Sequence, residues 1–253
     1  MAYGLKYSGT FSSTVYDDLA SKNYIIKLLF EGYSGNPSTI LVDGFSEKDK
    51  SYGDGLIGIK GVKFMFGVVS NTLGVDDFYP ESERHVKVEL YSVVGASETL
   101  VRAGFLIEED AKIEYGDGYK TIVISATDGL ELLKGNKYFD DNEKNYNVYP
   151  YSERVSILTI IRRCFEKIGT GLNLNTAFNM HHGTTTPSAI FDILAYSERG
   201  QKDLIGKSCY EVLRMMAESL NCQIFQESGE WWFVHLLGQR YGGQFKRKWS
   251  TVT

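Results

Sequence analysis

Ser208 to Leu237, SCYEVLRMMAESLNCQIFQESGEWWFVHLL, constrains this chain more than any other stretch, because it carries start, stop and turn signals together. Ser208 followed three residues later by Glu211 is a capping box, in which each side chain satisfies a backbone N–H left open at a helix start. A helix is predicted from Cys209, with Cys209, Val212, Leu213, Met216 and Leu220 on one face and Asn221 as a left-handed stop. The period then changes to two. Cys222, Ile224 and Gln226 alternate with Gln223, Phe225 and Glu227, Ser228-Gly229 can turn the chain, and Glu230 to Leu237 returns as an aromatic, branched strand. The unit is a helix followed by a β-hairpin, and none of its residues suggests catalysis.

The first half reads as sheet. Residues 1 to about 20 suggest one short strand and a polar turn. Tyr24 to Phe30 is a strand apolar on nearly both faces, Ile40 to Phe45 is a second, and Leu56 to Val69 is one long strand or two interrupted at Gly61 and Gly67. His85 to Val93 alternates most cleanly: Val86, Val88 and Leu90 face the core, while His85, Lys87, Glu89 and Tyr91 face water. Leu100 to Ile107 pairs with it, and Ala111 to Tyr115 with Lys120 to Ala126 forms another hairpin. Its Tyr115-Gly116-Asp117-Gly118 loop repeats the Tyr52-Gly53-Asp54-Gly55 sequence, a shared solution for a tight turn. A short helix then runs from an Asp128 cap to Gly135. About seven strands over roughly 135 residues fit an antiparallel barrel or sandwich.

The fold class expected is therefore α+β. Residues 1–136 form the β domain, 137–151 a polar, tyrosine-rich linker, and 152–253 a smaller mixed domain with two amphipathic helices and the β-hairpin. In that second part Ser152 is expected to cap a helix whose face is Ile157, Leu158, Ile161, Phe165 and Ile168, with Gly169 as its stop. Gly171 to Pro187 reads as loop, and Ser188 to Tyr196 as a strand or short helical segment. Tyr241 to Thr253 lacks a clean domain end, which suggests a sheet continuing past Thr253 in the native polypeptide or assembly.

Composition narrows the function. A net charge of −5 and a pI near 5.5 argue against general nucleic-acid binding, which needs a basic surface to release counterions from phosphates. The basic stretch Gln244 to Lys248 reads as a solvated tail. No apolar run approaches the length of a membrane span, and MAYGLKYSGTFSS lacks both the basic start and the apolar middle of a secretory signal, so synthesis in the cytosol is expected. The 17 tyrosines, 14 phenylalanines and 26 glycines against 4 prolines favour strands joined by glycine turns. Cys164, Cys209 and Cys222 match no zinc spacing and read as small buried hydrophobes.

Candidate chemistry is sparse. His181-His182 lacks any HxxxH or HExxH context and reads as a loop pair. Asp140-Asp141-Asn142-Glu143 lacks the central glycine and the twelfth-position glutamate of a calcium loop and reads as solvated linker. Glu108-Glu109-Asp110 could serve glycoside chemistry, yet consecutive carboxylates at a strand end more simply discourage sheet extension. No catalytic residue, cofactor or metal ligand is assigned. Trp231 and Trp232 face opposite sides of one strand, so one ring is expected in the core and the other at an interface. Trp231, Trp232, Tyr91 and Glu108 are the interface candidates.

Two stretches resemble the N-terminal regions of bacteriophage and prophage tail hub proteins, the baseplate or tail-tip components that cap the tail tube. The first is VRAGFLIEEDAKIEYGDGYKTIVISATDGLELLKG, with its Gly104-Phe105 and its Ala126 to Leu130; the second is the amphipathic helix, loop and CYEVLRMMAESLNCQIFQESGEWWFVH. Together they cover about half of the chain. The resemblance implies a tube-forming barrel, a ring of copies, usually trimeric, and contacts with other tail proteins. It further implies a place in the virion tail after synthesis in the bacterial cytoplasm, and no catalysis. Only one barrel is expected here, where a complete hub carries two. Two other functions compete: a carbohydrate- or receptor-binding β-module, suggested by the aromatic content, and a tail-associated glycosidase or peptidoglycan hydrolase built on Glu108 or Asp110.

Overall fold

A computed structural model describes residues 2–14, 21–52, 57–107, 111–116, 119–139, 154–178, 198–236 and 245–249. Among the described residues strand is the dominant element, in parallel and antiparallel pairs, with two α-helices and a separate two-stranded ladder, which makes the fold α+β. The described helices include none long and apolar enough to cross a membrane. The chain forms two compact units, one of Met1–Lys50, Gly61–Gly129 and Glu227–Gly229, the other of Ser51–Lys60, Leu130–Gln226 and Glu230–Thr253.

Unit 1 is built from β1 (Tyr3–Thr14), β2 (Ser21–Glu31), β3 (Ser38–Thr39), β4 (Leu41–Tyr52), most of β5 (Gly58–Val69), β6 (Val86–Val94), β7 (Ser97–Leu106), β8 (Lys112–Tyr115) and β9 (Lys120–Thr127). The strands lie in the order β3-β1-β2-β6-β7-β9-β5, β4 pairs with β5, and β8 lies beside β9. Alternation decides which face is buried. Ile26, Leu28 and Phe30 of β2 lie opposite Leu90, Val88 and Val86 of β6, and all six are buried. Phe64, Phe66 and Val68 of β5 meet Ala126, Ile124 and Ile122 of β9 in the same way. These residues join Tyr7, Val42 and Phe78 in one apolar cluster. Burying such side chains contributes about 1.5–3 kcal/mol each, so the shared face is the main source of stability in this unit.

The expected barrel or sandwich is corrected to a curled, open sheet. β3 pairs in parallel with β1, matching Tyr7 with Ser38 and Ser8 with Thr39, and the Ile40 N–H then donates to the Ser8 carbonyl at 2.9 Å. β4 begins at the next residue. The two ends of the strand order are thus joined by the chain itself at Ile40, and no β1–β4 ladder is present among the described residues. Side chains fill the seam instead: a Cβ on Gly9 would collide with Val42, and Phe11 stacks on Phe45 with ring centroids 5.9 Å apart. The local cause is Gly44, at φ 73°, which acts as an extra residue in β4. Val42 and Phe45, three positions apart, therefore both face the core, a bulge geometry that interrupts pairing.

The N-terminal expectation changes as well, and the choice left open at β5 is settled. The N-terminal strand β1 has 12 residues and is a full partner of β2. β5 runs without a break, and Gly67 is there because a Cβ would approach the Asp43 carbonyl to 2.6 Å. Asp128 ties β9 to β5: its buried carboxylate accepts the Val62 N–H at 2.8 Å, and its own N–H donates to the Val62 carbonyl at 3.1 Å. The short helix is a 3₁₀ turn over Glu131–Lys134, closed at Gly135 as expected.

Unit 2 contains β10 (Arg154–Ser156), α1 (Ile157–Glu166), β11 (Leu174–Phe178), β12 (Glu198–Gly200), α2 (Cys209–Ser219), β13 (Cys222–Glu227), β14 (Glu230–His235) and β15 (Phe245–Trp249). The capping box forms as read from the sequence: the Glu211 N–H donates to Ser208 Oγ at 3.2 Å, and the Ser208 N–H to Glu211 Oε2 at 2.8 Å. Asn221 ends α2 at φ 52°, and Ser228 and Gly229 at φ 52° and 70° make the two-residue turn from β13 to β14. Ser152 lies outside the described residues, and the cap of α1 is Ser156, whose Oγ accepts the Thr159 N–H at 3.1 Å. Within the span expected to be loop, Leu174–Phe178 is a strand, parallel to β14 and antiparallel to β15. Leu174, Asn175, Thr176 and Ala177 are all buried, so no alternation marks it. All three cysteines are buried and unbridged. Burial and a hydrogen bond with Cys209 push the Cys164 thiol well above its usual range, which keeps it neutral and unreactive.

Candidate functional site

The interface candidates fall in different surroundings. Trp231 is the core ring, fully buried. Its ring centroid lies 5.1 Å from that of Phe165 on α1, its Nε1–H donates to Thr170 Oγ1 at 3.3 Å, and its backbone N–H donates to the Asn173 carbonyl at 2.8 Å. Strand parity turns Trp232 to the opposite face, where it is half-buried and stacks on Phe225 at 6.4 Å and 10°. Tyr91, on β6, is half-buried. Its hydroxyl donates to Glu89 Oε2 at 2.7 Å, and Lys27 Nζ lies 4.4 Å from its ring centre while also pairing with Glu98 at 2.5 Å. Burial, then the Glu89 carboxylate, pushes the Tyr91 phenol far above its usual range. Tyr91 belongs to unit 1 and the tryptophans to unit 2. Glu108 lies outside the described residues.

The Gly104-Phe105 and Ala126 to Leu130 stretches converge on one architectural junction. Phe105 of β7 lies opposite Thr127 of β9, and Leu106 opposite Ala126. Gly104 is required because a Cβ would collide with the Thr127 carbonyl, and Asp128 next in line ties β9 to Val62 of β5. Gly129 follows at φ 91°, in the region open to glycine. These residues hold strands together and present no reactive group.

A groove on the outer face of unit 1 was not foreseen from the sequence. It encloses about 470 Å³, within the range of small-molecule sites. Its floor is made from the sides of β5 and β9 that point away from the core, at Met65, Gly67, Thr121 and Val123. One wall is the Asp43 to Ser46 bulge, and the other is the end of β8 with Glu114, Tyr115 and Tyr119. The turn there is held by Gly116 N–H donating to the Tyr119 carbonyl at 3.0 Å, and the Tyr119 ring lies against Gly116. Glu114 pairs with Lys112 at 2.5 Å. Tyr115 is 82% exposed and Tyr119 48%. The residues come from three separated stretches of sequence, and the glycines and the tyrosine-rich turn were the only sequence signals of it.

Glu109, Asp110, Asp140 to Glu143, His181 and His182 also lie outside the described residues. Among the described residues no group of three or more His, Cys, Asp or Glu side chains could hold a metal ion. No family model matches this chain, and no curated protein matches it. Among solved structures it is similar to the 43 kDa tail protein of prophage MuSo2 from Shewanella oneidensis, at 13% identity and a TM-score of 0.38. That similarity covers 68% of this chain and 46% of the tail protein.

Proposed function

We propose that this chain is a non-catalytic structural component of a phage or prophage tail, a hub or baseplate protein that assembles into a trimeric ring at the end of the tail tube. The observation that carries this reading is the shape of unit 1: a long antiparallel sheet curled around one apolar core until its end strands meet at Ile40. A tube wall built from such units needs a curved sheet and apolar groups left for neighbouring copies. Leu41, at the seam, is 63% exposed and Val94, at the β6–β7 turn, 79%, which suits them to burial against a second copy or another tail protein. Trp232 and Tyr91 are the further contact residues of this reading. The motifs at Gly104-Phe105 and Ala126 to Leu130 support it through the resemblance to tail hubs.

Immunogold labelling of intact tails tests the assignment. Antibody against this chain is expected to mark one end of the tail. Absence of label from tails, or label along their whole length, contradicts the proposal.

A further inference from the structure

We propose that the outer-face groove of unit 1 binds a neutral oligosaccharide, a property independent of the tail assignment. The bulge at Gly44 and the close approach of Asp43 and Thr121 to Gly67 shape a shallow groove between β4 and β9. A groove of about 470 Å³ has room for a drug-sized organic ligand.

Tyr115 and Tyr119 place two rings at one wall, exposed to solvent instead of committed to the core. The negative face of an aromatic ring attracts polarised C–H groups, and a pyranose presents such groups on one side with hydroxyls around its rim. Asp43 and Glu114 supply carboxylate acceptors for those hydroxyls, and Ser46 and Thr121 supply hydroxyls that both donate and accept. Among the described residues the lining contains no lysine or arginine, so phosphate, sulfate, nucleic acid and acidic sugars would find no cation in it to pair with. Glu114 is balanced by Lys112 at 2.5 Å, and Asp43 is the other carboxylate among the described residues of the groove. That is too little net charge to select a basic peptide, and it favours a polar, uncharged ligand.

The test uses the full chain on an array of neutral and acidic oligosaccharides, followed by calorimetric titration of the strongest neutral ligand. The wild type is expected to retain neutral sugars. Tyr115→Ala and Tyr119→Ala are each expected to weaken binding by about tenfold or more, with unchanged thermal unfolding, because both side chains are exposed. Asp43→Asn weakens it less, and Trp232→Ala leaves it unchanged, which separates the groove from the tryptophan face. Three results overturn the proposal: no neutral sugar retained, retention undiminished in both tyrosine variants, or binding of lysine-rich peptides in place of sugars.

Discussion

The two units bury apolar surface by different means. In unit 1 the strands are antiparallel except at β3, and one face is buried while the other is wet, so β6 shows alternating burial along Val86 to Leu90. In unit 2, β11 is parallel to β14, and β13 is parallel to the start of β5 through Gln223–Gly58 and Ile224–Ile59. There β11 is buried on both faces from Leu174 to Ala177 and β13 nearly so, and the helices supply the amphipathic signal. Register in unit 1 is set by the side-chain pattern, since a one-residue slip would expose every core residue. In unit 2 it depends on well-capped helix ends and on a few large anchors such as Trp231.

This difference predicts where each unit is most easily broken. The largest effect is expected for Trp231→Ala, which empties a fully buried site against Phe165 and leaves the Thr170 hydroxyl without its donor. A loss of about 3–5 kcal/mol in denaturant unfolding is expected. Gly104→Ala comes next, because the added methyl collides with the Thr127 carbonyl and β7 and β9 must part. About 1–3 kcal/mol should be lost, with faster hydrogen exchange in β7 and β9. Asp128→Ala leaves the Val62 N–H without its side-chain acceptor and should cost about 1–3 kcal/mol, whereas Asp128→Asn keeps an acceptor and should cost less. An equal cost for the two variants would remove that hydrogen bond from the account.

The smallest effect lies at the start of α2. Ser208→Ala should cost about 1 kcal/mol by removing the cap. The Glu211 carboxyl is held below its usual range, first by the backbone N–H of Ser208 and then by its hydroxyl. A depressed folded pKa means stability that is present above the unfolded value, near 4.3, and is lost as pH falls through the folded one. Glu211→Gln should therefore flatten acid destabilisation between about pH 5 and the folded pKa, and an unchanged acid profile would contradict the cap.

The same contrast explains what was legible in advance. The inward residues of β6, the capping box, Asn221 and the Ser228-Gly229 turn each depend on neighbours within four residues, and each was read from sequence alone. The β11 strand was not, because LNTAF is buried on both faces and carries neither alternation nor a turn signal. Ser156 was missed as a cap since Ser152 offered an equally good residue. The seam at Ile40 and the role of Asp128 rest on partners far apart in sequence, Ser8 in one case and Val62 in the other. Parity alone sends Trp231 and Trp232 to opposite faces, but which face α1 covers is a tertiary fact. The groove was hidden for the same reason, being assembled from the 43–46, 65–67 and 114–123 regions.

The proposed ring requires copies of the chain to associate through the exposed Leu41 and Val94. Native mass spectrometry of the full chain over a range of concentrations tests it most directly. A trimer that dissociates on Leu41→Glu or Val94→Glu is the predicted result, and a monomer at every concentration would contradict the account.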